Sequence, residues 1–254
     1  MTLLPHLQCR PEQIAERVVL CGDPARVDRI ASQLKQCEVL GQNREFRLIN
    51  GRYQGLPITV CSTGIGGASA VIALEELVQA GARSLIRVGS AGALQHDIGL
   101  GDLIVVEGAV RNEGASQAYL PAEYPACADI WLQAALLNQV AACGQPHWHG
   151  LVRSHDSFYR DDEQEVCRYW HARGVLGADM ETASLLTVGR LRKVRVAAVL
   201  CNVVLFEQDV QDGVNEYANA EQAMMNGERN AIAEQAMMNG ERNAIAAALH
   251  ALVQ

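Results

Sequence analysis

Short apolar runs rich in β-branched residues alternate along the chain with longer stretches of helical composition. The predicted strands are Arg17–Leu20, Leu56–Cys61, Ser84–Val88, Leu103–Val106 and Val194–Cys201. The predicted helices are Ala25–Gln36, Ala68–Ala80, Ile130–Ala142, Glu163–Ala172 and Glu181–Lys193. Several strands are apolar throughout, which is typical of central strands covered on both faces. The alternation predicts an α/β fold, with residues 1–254 forming a single domain around a mixed, mainly parallel central sheet flanked by helices.

The composition excludes several classes of protein. The chain has 254 residues and a net charge of −8, from 21 basic and 29 acidic residues. An acidic chain without a Lys/Arg-rich run has no electrostatic reason to bind nucleic acid or an anionic membrane. No apolar stretch approaches the roughly 20 residues that a bilayer requires, and the N-terminus lacks the features of a signal peptide. The eight scattered cysteines predict reduced, mostly buried thiols and no metal site. We expect a soluble, cytoplasmic protein.

A tandem duplication stands near the C-terminus. Residues 221–233 are repeated letter for letter as residues 234–246. At about 100° per residue, such a unit turns a helix by about 220° beyond whole turns, so the two copies cannot present the same face to the core. We expect at most one copy to pack in the core and the other to extend or bulge out. We assign no chemistry to either copy.

The segment GDPAR, residues 22–26, follows the first predicted strand. Asp23 is a candidate N-cap and the proline after it fits a first helical turn, so Gly22 would lie beside exposed backbone amides. Such a helix end attracts anions, and Arg26 would add a full charge one turn inside. A plain cap with a solvent-facing arginine explains the same letters.

Two further segments carry charged residues that could bind a ligand. Arg87 lies inside an apolar strand, and a buried arginine needs either a structural carboxylate or a bound anion. Asp179 and Glu181 flank a methionine where a strand gives way to a helix. A carboxylate at that place can accept hydrogen bonds from a pair of sugar hydroxyls, and acidic residues are also favourable in a first helical turn.

Taken in order, the motifs GDPARV, NREF, CSTGIGGAS, RVGSAGAL, VRNEGAS, SFY and DMETAS resemble the hexameric nucleoside phosphorylases, with uridine phosphorylase as the nearest branch. The resemblance covers nearly the whole chain and implies the nucleoside phosphorylase fold. It implies a pentosyltransferase that cleaves the N-glycosidic bond with inorganic phosphate, giving free base and (deoxy)ribose 1-phosphate in nucleoside salvage. Phosphate is then the co-substrate, with no cofactor or metal. The expected assembly is a homohexamer built from dimers with shared active sites.

The resemblance also implies a role for each matching residue. The phosphate-binding residues are Gly22, Arg26, Arg44, Arg87 and Ser90. The ribose-binding residues are His6, Asp179, Met180 and Glu181. Arg44 and His6 would come from the neighbouring subunit, and Arg26, Arg87 and Glu181 would carry the catalysis. Since bound phosphate is itself the nucleophile, positioning and charge stabilisation do most of the work and no nucleophilic side chain is needed.

The base-binding half departs from the family pattern. Phe158 matches the family phenylalanine, but Gln164 and Arg168 are only offset substitutes for the pair that reads uracil. Three alternatives to a uridine phosphorylase therefore stay open. One is a purine or modified-nucleoside phosphorylase with Glu207 or Asp209 as general acid. The others are a nucleosidase and a non-catalytic nucleoside-binding member with an altered base pocket.

Overall fold

A mixed sheet of ten strands organises the part of the chain that the computed structural model describes, residues 3–226 and 232–254, with the backbone alone for residues 224–226. The strands are β1 (Arg17–Cys21), β2 (Lys35–Asn43), β3 (Phe46–Tyr53), β4 (Leu56–Ser62), β5 (Ser84–Ala93), β6 (Leu103–Asn112), β7 (Ala126–Cys127), β8 (His147–His155), β9 (Gly177–Asp179) and β10 (Arg195–Val204). The helices are α1 (Pro24–Ala31), α2 (Gly67–Gln79), α3 (Gly114–Gln117), α4 (Ile130–Ala142), α5 (Glu163–His171), α6 (Thr182–Leu191), α7 (Val210–Asn226) and α8 (Ile232–Leu252).

The sheet closes partly on itself. Its strand order is β10-β6-β8-β9-β5-β1-β4-β3-β2, and β10 also pairs with β5, so β10, β6, β8, β9 and β5 form a ring. The pairings β1–β4, β1–β5, β5–β10, β6–β8 and β8–β9 are parallel. The pairings β2–β3, β3–β4, β5–β9, β6–β7 and β6–β10 are antiparallel. The predicted mixed sheet is confirmed, with the two kinds of pairing equally represented in the described ranges.

The five predicted strands all form, and each extends beyond its apolar run. The helix α4 has the predicted bounds, whereas the helix predicted over Ala25–Gln36 ends at Ala31. Lys35 and Gln36 belong instead to β2, where Lys35 pairs with Arg52 of β3. Most of β2 is exposed, so its letters carry no apolar alternation that could have predicted a strand.

The parallel strands β1, β5 and β10 end at the same edge of the sheet. Leu20 of β1 pairs with Arg87 of β5, and Ser90 of β5 pairs with Cys201 of β10. Because ligands of α/β proteins bind outside the carboxyl ends of parallel strands, this edge is the place to look for a site. Helix α1 starts there, directly after β1.

The second copy of the repeat packs in the core, in line with the expectation that at most one copy does so. Met237, Met238 and Ile245 of that copy are buried in α8. Ile232 belongs to the first copy, at the position equivalent to Ile245, and it is 92% exposed. Residues 227–231 of the first copy lie outside the described residues.

All eight cysteines are free thiols. The prediction of mostly buried thiols is wrong for half of them, because the exposed group consists of Cys37, Cys127 and Cys143 while Cys167 is half-buried. Burial raises the pKa of the Cys21 thiol, and likewise that of Cys201, to about 12. In the part of the chain that the structure describes, no helix combines the length and the apolar character needed to cross a bilayer.

Candidate active site

The turn between β1 and α1 brings Arg26 back over the sheet edge. The Asp23 side chain accepts hydrogen bonds from the backbone N–H groups of Ala25 and Arg26, both at 3.1 Å. Pro24 occupies the first helical turn, so the predicted cap is confirmed. The capped helix fixes the direction in which Arg26 leaves the backbone.

The guanidinium group of Arg26 is buried between β5 and the C-terminal helices. Its Nη2 donates to Ser90 Oγ at 2.9 Å and to the Tyr217 hydroxyl at 2.6 Å. Its Nε donates to Glu241 Oε2 at 2.9 Å. Because Arg26 is only 5% exposed, the alternative of a solvent-facing arginine is wrong. Arg26 and Ser90, two of the predicted phosphate-binding residues, are in direct contact.

Arg87 is buried on β5 and bonded to two carboxylates. Its Nη2 donates to Glu181 Oε2 at 2.5 Å, and its Nε donates to Asp179 Oδ2 at 3.2 Å. Its Nη1 is buried and has no hydrogen-bond partner among the described residues. The strand arginine therefore has structural carboxylates and, in addition, one guanidinium nitrogen that protein groups leave unsatisfied. A buried donor of this kind is costly unless something accepts from it.

Glu181 connects Arg87 to the glycine-rich turn before α2. Its Oε1 accepts from the backbone N–H of Gly66 at 2.6 Å, while its Oε2 accepts from Arg87. Gly66 has φ of +90°, a conformation that favours glycine and turns its N–H toward the carboxylate. Burial raises the pKa of Glu181 in spite of the opposing Arg87 charge.

Asp179 lies behind Arg87 and has a structural role in the chain as described. Its Oδ1 accepts from Ser154 Oγ at 2.5 Å, and its Oδ2 accepts from the Thr182 hydroxyl at 2.6 Å and from Arg87. Both oxygens are thus bonded to protein donors at the start of α6. Of the predicted ribose-binding set, Met180 and Glu181 follow directly, with Met180 half-buried and Glu181 buried.

His6 and Arg44 do not bond to the Arg26 and Arg87 groups within one chain. His6 Nδ1 lies 2.6 Å from Glu76 Oε1, and Glu76 also accepts from the His6 backbone N–H. Arg44 is exposed in the turn between β2 and β3, with φ of +54°. Its side chain makes no hydrogen bond or ion pair with any other residue that the structure describes. An exposed arginine in this position is available to a neighbouring copy.

The predicted base-binding residues lie in and around α5. Phe158 is half-buried with its ring centroid 5.0 Å from that of Tyr159, and Gln164 and Arg168 are exposed. Arg168 Nε is 3.8 Å from Glu207 Oε1, in the segment after β10. One substitute for the uracil-reading pair and one candidate general acid are therefore neighbours.

Asp209, the other candidate general acid, is used differently. Its Oδ1 accepts from the backbone N–H of Gln211 at 2.9 Å and of Asp212 at 3.2 Å, at the start of α7. The side chain therefore stabilises the first turn of that helix. Within the described ranges, no group of three or more His, Cys, Asp or Glu side chains is placed to hold a metal ion.

Two residues of the site were missed from the sequence. Tyr217 and Glu241 contact Arg26 but lie 191 and 215 positions away from it along the chain. Glu241 is in the second copy of the repeat, so a segment to which we assigned no chemistry contributes a hydrogen-bond partner of Arg26. No local pattern marks either position. The only signal in the letters is a glutamate in an otherwise apolar helix face, and the repeat offers two such glutamates.

The model of the phosphorylase superfamily matches residues 16–238, and the chain belongs to that superfamily. The solved structure of uridine phosphorylase from Vibrio fischeri ES114 superposes with a TM-score of 0.89 at 47% identity, covering 100% of this chain and 98% of that one. Uridine phosphorylase from Thermococcus kodakarensis is 37% identical over 88% of this chain and 84% of its own length. Guanosine phosphorylase from Halorubrum lacusprofundi is 36% identical over 90% of this chain and 95% of its own length.

The predicted family, fold class and enzyme class are thereby confirmed. The chain is an α/β member of the nucleoside phosphorylases, and its enzyme class is pentosyltransferase.

Proposed function

We propose that this enzyme cleaves the N-glycosidic bond of uridine or deoxyuridine with inorganic phosphate, releasing uracil and ribose or deoxyribose 1-phosphate, respectively. The observation that carries the proposal is a pair of buried arginines at β5, Arg87 on the strand itself and Arg26 bonded to it from α1. Arg26 is bonded to Ser90 there, and Arg87 Nη1 has no partner among the described residues. Guanidinium groups bind phosphate through several charge-assisted hydrogen bonds, and an unsatisfied buried donor favours an anionic ligand.

The geometry supports a simple displacement. Phosphate lies against Gly22, Arg26, Arg87 and Ser90, with Arg44 donated by a neighbouring subunit. One phosphate oxygen forms a bond to C1′ while the C1′–N bond breaks, and the proton that phosphate loses goes to the departing base. The sugar acquires oxocarbenium character, which the adjacent anion stabilises. No serine, cysteine, cofactor or metal is required, because the co-substrate is the nucleophile.

The ribose is placed over the phosphate by the segment Asp179, Met180 and Glu181, with His6 reaching in from a neighbour. Glu181 is the acceptor for the sugar hydroxyls, since Gly66 and Arg87 each donate to only one of its oxygens. Each Asp179 oxygen already accepts two or more hydrogen bonds from protein donors. Phe158, Gln164 and Arg168 form the base end. The remaining part of the proposal is a cytoplasmic homohexamer built from dimers, acting in nucleoside salvage. The exposure of Arg44 and its lack of a described partner support a shared site.

A second candidate substrate is a purine nucleoside. Two observations favour it, namely the 36% identity to a guanosine phosphorylase and the position of Glu207 beside Arg168. Glu207 would then protonate the purine as it leaves. A site that hydrogen-bonds one base edge discriminates strongly against another, so the two candidates predict distinct activities.

A nucleoside panel tests the proposal. The purified full chain is incubated with uridine, cytidine, inosine, guanosine and adenosine, each with and without phosphate, and free base and pentose 1-phosphate are measured. Phosphate-dependent cleavage of uridine is the expected result, and the same result with guanosine or inosine alone would favour the purine candidate. Cleavage that ignores phosphate would identify a nucleosidase. Nucleoside binding without any turnover would identify a non-catalytic member. Either of the last two results overturns the proposal.

A further inference from the structure

The Arg26 guanidinium is held along one edge by the C-terminal helices. Nε donates to Glu241 Oε2 of α8 at 2.9 Å, and the Tyr217 hydroxyl of α7 both accepts from Nη2 and donates to the same carboxylate oxygen. The opposite edge faces β5, where Nη2 meets Ser90 Oγ at 2.9 Å and Nη1 lies 3.5 Å from the Val88 carbonyl oxygen. The planar fork of an arginine has one orientation that satisfies both edges.

The ion pair between Arg26 and Glu241 is buried, and the two charges neutralise each other. The side chains of Arg26 and Glu241 are 6% and 5% exposed. Burial alone would raise the pKa of Glu241, but Arg26, Arg29 and Tyr217 outweigh it and lower the pKa to about 2. Glu241 is therefore a carboxylate at any physiological pH. A buried ion pair with additional hydrogen bonds has a fixed geometry, because the loss of any partner leaves a desolvated charge.

Arg29 also donates to the Glu241 carboxylate, chiefly to the oxygen that Arg26 does not contact. Arg29 Nε donates to Glu241 Oε1 at 2.6 Å, and Arg29 Nη2 donates to Glu221 Oε1 at 2.5 Å. Glu221 is the first residue of the first repeat copy, and Glu241 is the eighth residue of the second. The first copy thus supplies Glu221 and the second copy supplies Glu241, and both carboxylates contact arginines of α1.

We propose that Glu241, with the Tyr217 hydroxyl, is the positioning group of the phosphate site and sets the orientation in which Arg26 presents its Nη1 to phosphate, since Nη2 donates to Ser90 and Tyr217. The inference rests on the proposed function and extends the phosphate site into the duplicated segment. Glu241 acts through Arg26 and has no contact with the reacting atoms. Its removal should therefore weaken phosphate binding and leave the nucleoside end of the site intact.

The test compares Glu241→Gln with the native enzyme in two measurements. Steady-state kinetics with the preferred nucleoside of the panel should show the KM for phosphate raised about tenfold to hundredfold, as expected for losing a charge-assisted hydrogen bond. The KM for nucleoside should change by less than about threefold. Inorganic phosphate alone should also raise the Tm of the native protein more than that of the variant.

Two further variants make the result specific. Tyr217→Phe removes only the hydroxyl and should raise the KM for phosphate by a smaller factor. This variant tests the inference on its own if Glu241→Gln does not fold. Asp28→Asn is the matched control, since Asp28 lies on the same helix as Arg26 and pairs with Arg47 at 2.7 Å on the exposed side. It should leave both KM values unchanged.

The outcomes separate the inference from the proposed function. Unchanged phosphate KM and phosphate-induced Tm shift in both Glu241→Gln and Tyr217→Phe, with an active native enzyme, would overturn the inference alone. An equal rise in both KM values would also overturn it, since that pattern is general disruption. If the native enzyme releases no pentose 1-phosphate from any nucleoside, the proposed function fails first.

Discussion

Ile232 and Ile245 stand at the same position of two identical thirteen-residue units, yet Ile232 is 92% exposed and Ile245 is 2% exposed. The same residue at the same repeat position is therefore exposed to solvent in one copy and buried in the other. Ile245 packs in α8 among the apolar residues of the core, whereas Ile232 is at the start of that helix. Identical sequence does not produce identical burial, because the helical rotation accumulated over one unit turns the second copy away from the first.

This pair gives a matched prediction of stability. Ile245→Ala should lower the free energy of unfolding by about 2–4 kcal/mol, because it removes buried methyl groups and leaves a cavity. Ile232→Ala should change it by less than about 0.5 kcal/mol. Denaturant unfolding of both variants checks the prediction. Equal losses would show that the first copy also packs in the core.

Arg87→Lys should keep the fold and lose most of the activity. Lysine retains the positive charge beside Asp179 and Glu181 but lacks the fork that bonds both carboxylates and leaves Nη1 for a ligand. We expect kcat/KM for phosphate to fall by at least about 100-fold. Arg192→Lys, which alters a pair with Glu75 at the surface, is the control. A fully active Arg87→Lys enzyme would contradict the assignment of Arg87 to phosphate.

Asp179→Asn should destabilise the protein more than an ordinary cap substitution does. Asn can still accept from the Thr182 backbone N–H at the start of α6, but it removes one of the two carboxylates paired with the buried Arg87, so the free energy of unfolding should fall by about 3 kcal/mol. Asp129 caps α4 without such a partner, and Asp129→Asn should cost less than about 0.5 kcal/mol. Thermal or urea unfolding of both variants measures the difference. A similar effect at the two positions would argue that Asp179 and Arg87 are weakly coupled.

The stability of the native protein should fall in acid partly through Glu241. Its pKa is lowered from 4.5 to about 2 in the folded chain, so its contribution is complete above the unfolded value and is lost as the pH falls toward 2. By pH 3 the loss should reach about 2 kcal/mol. Glu241→Gln has no such titration, so its unfolding free energy should fall less than the native one between pH 6 and pH 3. Parallel curves for the two proteins would contradict the lowered pKa.

Local signals predicted the part of the site that is built locally. The Asp23 cap, the buried position of Arg87 and the placement of Glu181 at a strand–helix junction all follow from residues within a few positions of one another. The bounds of α4 were predicted from its helical composition, and the structure shows Asp129 capping the helix where the apolar run starts. These features needed no knowledge of distant parts of the chain.

The remainder depends on contacts between distant segments. Strand β2 is exposed and is held by its ladder to β3, so its own letters did not show it. The hydroxyl of Tyr217 and the carboxylate of Glu241 reach Arg26 only because α8 packs on β5 while α7 packs on β10 and α8. The repeat offered two equivalent glutamates, and only packing decides which of them meets Arg26. The spacing of residues along a sequence carries no information about such long-range contacts.

The closure of the sheet also bears on how this gene could change over generations. Strand β10 pairs with β5 on one side and β6 on the other, and after Val204 the chain makes only helices among the described residues. A duplicated stretch in the region after β10 shifts no strand register. The same copying event within β5 would have displaced the ladders to β1 and β10 together. The sheet can therefore stay intact with a tandem duplication in the segment after β10.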